Sequence, residues 1–168
     1  PRPEQPSGVP VLSAPGTPPP GVAVEDPSLI AVLPAAVAGQ PVVLESQAFE
    51  DAIADPAFAA NVEAAAFGVV VAGNDLSSAM VARPVHGAWS ETWFRDWRES
   101  YDDGACGQAG GVAGHAEAEL GGRTVFIGTC AGGAHTYHVY LEGPNVIVSV
   151  TSVGEGRFGE QIVAGLRE

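Results

Sequence analysis

From Val112 to Val153 apolar and polar residues alternate with a period of two, and glycine-bearing breaks divide the alternation into four strands. These are Val112 to Leu120, Arg123 to Cys130, His135 to Glu142 and Asn145 to Val153. Gly121-Gly122, Gly132-Gly133 and Gly143-Pro144 supply hairpin chemistry between them, so the strands are expected to form an antiparallel meander. Upstream the period is helical. Ser46 can cap a helix that carries Phe49 and Ile53, and Asp55-Pro56 starts another, with Phe58, Val62 and Ala65 as its stripe. Phe67 to Ala72 and Ala79 to Val85 read as two strands turned by Gly73-Asn74-Asp75, and Val42 to Leu44 as a shorter one. Ser90 caps a helix whose Trp89, Trp93, Trp97 and Tyr101 recur every four residues, and Asp102-Asp103-Gly104 is expected to end it. Phe158, Ile162 and Leu166 close the chain with a short amphipathic helix. The pattern predicts an α+β domain over 29–168, with an antiparallel sheet of about six to seven strands packed with helices.

Parity along the strands sorts the sheet into two faces. A two-residue Gly143-Pro144 turn puts Tyr137, Val139 and Leu141 with Val146, Val148 and Val150. A four-residue loop from Ala131 to Ala134 adds Phe126 and Cys130 to that more apolar face, which is assigned to the helices. The other face would carry Thr129, Thr136, His138, Tyr140, Ser149 and Thr151, beside Val125, Ile127 and Ile147. His115, Glu117 and Glu119 join it if the Gly121-Gly122 connection has three residues. That longer loop is preferred, because unpaired carboxylates in a core are costly. The predicted binding face is therefore His115, Glu117, Glu119, Thr136, His138, Tyr140, Ser149 and Thr151. Within it His115, Glu117, Glu119 and His138 are the candidate metal ligands, although period-two spacing holds neighbours about 6–7 Å apart, wide for a zinc site.

Composition narrows the function classes. Twenty acids face seven arginines and no lysine, giving a formal charge of −13. Such a field repels phosphate backbones and anionic headgroups, which argues against nucleic acid as a partner. No apolar run approaches the ~20 residues of a membrane span. Residues 1 to 28 hold most of the 14 prolines, a composition that favours polyproline II or an unstructured spacer, docked on the domain or tethering it. Cys106 and Cys130 are the only cysteines. Neither has a neighbour that would activate a thiol, so they are expected to pair. A loop of about 25 residues closed in this way is worth about 3 kcal/mol on the chain-entropy model. A lone disulfide beside a proline-rich leader predicts an exported protein whose signal has been removed. A lipid-anchored form would carry its modified cysteine upstream of Pro1.

Chemistry-bearing motifs are scarce. There is no G-x-S-x-G elbow, and the Gly107 to Gly114 stretch lacks the Lys-Ser/Thr ending of a phosphate loop. No cofactor is expected, and catalysis is not the expected role.

The segment Leu33-Pro34 to Gly39-Gln40-Pro41-Val42-Val43-Leu44-Glu45-Ser46 resembles the start of uncharacterised secreted lipoproteins of high-GC bacteria. Tyr137 to Tyr140, Val146 to Val150 and the final helix are similar to their last hairpin. The resemblance covers roughly 29–168 and implies a PsbP/Mog1-like α/β/α sandwich, with no catalytic residues to transfer. The leading expectation is a non-enzymatic extracellular or cell-surface domain that binds a protein or assembles with itself. The alternative is a small-molecule or metal sensor using His115, Glu117, Glu119, His138 and Tyr140.

Overall fold

Strand pairing follows the predicted meander and then extends it. The computed structural model describes residues 22–168, so the proline-rich arm, and whether it docks, lies largely outside the described residues. The elements run β1 (Val24–Glu25), a 3-10 helix (Pro27–Val32), β2 (Ala36–Val37), β3 (Gln40–Pro41), β4 (Val43–Leu44), α1 (Ser46–Ile53), α2 (Pro56–Asn61), β5 (Val62–Ala72), β6 (Asp75–Pro84), α3 (Glu91–Cys106), β7 (Val112–Leu120), β8 (Arg123–Cys130), β9 (His135–Leu141), β10 (Val146–Val153) and α4 (Phe158–Ala164). One open eight-stranded sheet has the order β1-β5-β6-β10-β9-β8-β7, with β4 also on β5, and β2-β3 forms a separate hairpin. Only β1 runs parallel to its partner. The fold is α+β with a mostly antiparallel sheet, wider than the expected six to seven strands.

Helices cover both faces. Against Tyr137, Val139, Val148 and Val150 pack the 3-10 helix, through Leu29, and α4, through Phe158, Ile162 and Val163. The opposite face receives α1, α2 and α3 through Phe49, Phe58, Trp97 and Tyr101, over Ala65 and Met80. The sequence reading placed the tryptophan helix on the apolar Tyr137 face. It lies on the other one.

Two loop lengths explain that correction. Cys130 N–H donates to Ala134 O at 2.8 Å, so Ala131 to Gly133 is a three-residue connection, with Gly133 at φ +93°. The register becomes Phe126↔His138 and Ile127↔Tyr137. One residue fewer than the four expected turns every side chain of β8 over. Phe126 and Cys130 therefore share the His138 face, while Val125, Ile127 and Thr129 join the Tyr137 face. The Gly121-Gly122 connection holds two residues, not three, because both glycines adopt the positive φ (61° and 77°) of a tight type I′ hairpin. This second shift cancels the first, so His115, Glu117 and Glu119 share the face of His138 after all.

Other boundaries moved as well. α2 ends at Asn61, and Val62 and Ala65 belong to β5, where tertiary pairing overrides a short helical stripe. Asp102-Asp103-Gly104 does not end α3, which runs on to Cys106. β1, with Ala23 buried beside it, brings chain N-terminal to Leu29 into the domain.

Candidate functional site

The disulfide fixes how α3 lies over the sheet. Cys106 and Cys130 are joined with a Cα–Cα distance of 5.1 Å. Four residues of helix rise about 6 Å and two of strand about 6.6 Å, so stepping back from the cysteines keeps the two elements in register. Asp102 falls against Gly128, and Arg98 over the ring of Phe126 at 3.7 Å. Phe94 meets the same ring edge-on at 5.7 Å. A Cβ on Gly128 would collide with Thr136 Oγ1 and lie 2.6 Å from Asp102 Oδ2. The bare backbone of Gly128 is therefore the slot that admits the carboxylate.

Asp102 is the hub of a buried polar network. It is 1% exposed, as is His138, and Thr136 and Ser149 are wholly buried. His138 Nε2–H donates to Asp102 Oδ1 at 2.8 Å and Thr136 Oγ1–H to the same oxygen at 2.5 Å. The other oxygen takes a 3.2 Å bond from His115 Nε2. On the far side Trp97 Nε1–H donates to Ser149 Oγ at 3.1 Å, and Ser149 Oγ–H to His138 Nδ1 at 2.9 Å. Tyr101 bonds Thr151 at 2.8 Å, its ring edge-on to His138. Burial lowers the His138 imidazole below its ordinary value despite the Asp102 bond, so it is neutral. Burial would raise Asp102, but the bonds from His138 and Thr136 outweigh it and hold the carboxyl below its usual range. An ionised carboxylate and a neutral imidazole satisfy every bond in the row.

A serine, a histidine and an aspartate in line are the components of nucleophilic catalysis. Here Ser149 is 0% exposed and its hydroxyl already accepts from Trp97. No substrate carbonyl can reach it in this arrangement, and the row acts as an internal brace.

The predicted binding face is thus covered in its middle. Thr136, His138 and Ser149 lie under α3, and Thr151 and Tyr140 are half-buried beside it. His115, Glu117 and Glu119 remain exposed on β7. The four expected metal ligands are not assembled: among the described residues no group of three or more His, Cys, Asp or Glu is arranged to hold a metal ion. His138 turns its Nε2 to Asp102, and Glu119 accepts from Thr124 at 2.7 Å. Asp102, the residue at the centre, was read from the sequence only as a helix terminator. Counting back four from Cys106 and two from Cys130 is the signal that finds it.

Two open features flank the brace. A groove of about 910 Å³ runs between α1–α2 and α3. Phe58, Trp93, Trp97 and Tyr101 line its sides, Phe67 and Met80 its floor, and Asp51, Asp55 and Asp96 its rim. The Trp93 and Trp97 rings lie 5.5 Å apart, and Phe58 is 6.1 Å from Trp97. Beyond the groove the same sheet face is uncovered. Val43 pairs with Val69, Val71 with Leu76 and Leu76 with Val153. Val43, Val71, Leu76 and Val153 are 56%, 54%, 43% and 38% exposed. On the other side of α3 a second cleft lies over β7, β8 and β9, and Glu117 and Tyr140 of the predicted face line it. No helix among the described residues is long and apolar enough to cross a membrane. Comparison with family models, curated proteins and solved structures finds no match to this chain.

Proposed function

We propose that the domain is a non-enzymatic binding module that holds an extended, apolar and positively charged segment of a protein partner. The observation that carries this is the continuity of the aliphatic row Val43, Val71, Leu76 and Val153 with the aromatic groove. Large aliphatic side chains adjacent on one sheet face are unusual on a monomer surface and mark contact sites. The partner's sign follows from the rim. Asp51, Asp55 and Asp96 are the charged residues lining the groove, and none of the lining residues is basic. Aromatic walls with carboxylates above them suit an arginine or lysine side chain. A formal charge of −13 opposes the approach of a second copy, which favours a different protein over self-assembly.

The exported address belongs to the same proposal, as does the likeness to surface lipoproteins with a PsbP/Mog1-like sandwich. The disulfide and the helices on both faces of the sheet support it.

Calorimetric titration with a Leu/Lys peptide and its Leu/Glu counterpart tests the reading. Binding is expected for the first only, weakened by Val71→Thr with Leu76→Thr and separately by Asp51→Asn, Asp55→Asn and Asp96→Asn. Equal binding of both peptides, or indifference to either set of substitutions, would refute it. A dimer in light scattering that the Val71 and Leu76 changes dissolve would make a second copy the occupant.

A further inference from the structure

Six arginines belong to the described residues, and five have partners among them. Arg83 lies 3.9 Å from both Asp26 and Glu63, Arg95 pairs with Asp96 at 3.0 Å, and Arg157 with Glu160 at 3.5 Å. Arg123 donates to Leu166 O at 3.1 Å and Arg167 to Leu33 O at 2.9 Å. Arg98 differs. Its guanidinium carbon sits 3.7 Å from the centre of the Phe126 ring and 4.6 Å from that of Phe94. Among the described residues it has neither a hydrogen-bond acceptor nor a carboxylate within ion-pair distance. Of the six it alone lacks a polar partner; it is half-buried, and it lines a cleft of about 750 Å³.

The stacking comes from the register set by the disulfide. Arg98 is eight residues before Cys106 and Phe126 four before Cys130, so the covalent bond aligns guanidinium and ring. A face held by cation–π contact keeps the plane fixed and leaves the N–H fork to meet a ligand. The rest of the cleft supplies apolar wall. Trp89 and Tyr140 are stacked at 4.4 Å, and Tyr140 is tied at its hydroxyl to Asn145 at 2.8 Å. Tyr140, Phe126 and Phe94 continue the surface inward.

We propose that this cleft is a binding site for a small organic carboxylate with an aromatic or branched apolar body, its two oxygens gripped side by side by Arg98. A planar fork matches a carboxylate in two parallel bonds. Glu91 and Glu117 also line the cleft, as do Arg95 and Arg123, whose guanidinium groups are engaged by Asp96 and by Leu166 O and Glu168. With those two arginines occupied, the two carboxylates set a limit on the charge the cleft accepts, favouring a single carboxylate over a doubly charged phosphate. Glu117 faces Phe126 across the strand pair, so it competes with the ligand for the field of Arg98. The site is separate from the groove between α1–α2 and α3 and does not depend on that groove's function.

The test is amide and arginine side-chain NMR of the oxidised protein titrated with 3-phenylpropionate, with 3-phenylpropanamide and inorganic phosphate as controls. The acid is expected to shift Phe126, Tyr140 and the Arg98 Nε–H, and the amide to bind about tenfold more weakly or less. Arg98→Gln and Arg98→Lys lose binding to a similar degree, the second because it keeps charge without the fork. Glu117→Gln, at an exposed position that leaves the fold intact, tightens binding about two- to fivefold. The proposal is overturned by no perturbation at about 10 mM probe, by equal binding of acid and amide, or by an unchanged affinity in Arg98→Lys. Tighter binding of phenylalanine, weakened by Glu117→Gln, would overturn it in favour of a zwitterion site.

Discussion

Removing the Asp102 carboxylate tests how much the covered sheet face depends on its brace. In Asp102→Ala the hydroxyl of Thr136 and the Nε2–H of His138, both inaccessible to water, lose their common acceptor. Each stranded donor costs about 1–3 kcal/mol. His115 is exposed and adds little. The sum is about 2–6 kcal/mol, against a total of about 5–15 kcal/mol for a domain. Urea unfolding followed by tryptophan fluorescence at neutral pH, with the disulfide intact, measures the loss as a fall in midpoint at constant slope. Asp102→Asn, which keeps one acceptor oxygen, should fall between the two. The triple replacement Asp102→Leu, Thr136→Val and His138→Phe should cost less than Asp102→Ala alone, because it strands one buried donor, the Ser149 hydroxyl, rather than two. A loss below about 1 kcal/mol in Asp102→Ala would show that water or local rearrangement replaces the carboxylate, and the account of the brace would fail.

The remaining predictions concern the same region. Both His138 and Asp102 titrate lower in the folded protein than their ordinary values of 6.5 and 3.8. The unfolded chain therefore binds more protons, and stability full above pH 6.5 declines on acidification, first through His138 and then through Asp102. Melting temperatures across that range should fall monotonically for the wild type; in Asp102→Ala the fall through His138 persists, and the further fall below pH 3.8 shrinks because that carboxyl is gone. Gly128→Ala drives a methyl against Asp102 and Thr136 and should cost about 1–3 kcal/mol. Gly114→Ala, on the neighbouring strand with nothing within 4 Å of the new carbon, should be close to neutral in the same urea assay. Reducing the Cys106–Cys130 bond should cost about 3 kcal/mol, with hydrogen exchange accelerating first at the C-terminal end of α3.

Much of this molecule was legible in the chain, and the limits fall at identifiable residues. Period two from Val112 to Val153 fixed the four meander strands, because an alternating face can be buried in only one way. The cysteine pair was readable from its isolation, and the stacking of Arg98 on Phe126 follows from it by counting. The faces of β7 and β8 were not. Their parity turned on whether Gly132-Gly133 and Gly121-Gly122 close loops of two, three or four residues. Glycine permits all of them, so the choice was made by the contacts on either side. Nor could the chain say that α3 would cover the polar face. Thr136, His138, Ser149 and Thr151 look solvated until Trp97, Tyr101 and Asp102 arrive to pair with them. A polar side chain reads as exposed when its partner is distant in sequence, and only packing supplies that partner. Local pattern thus decided the elements and the staple between them. Which groups are buried, and which two surfaces stay open, was decided by the burial of one charged hub beneath a helix.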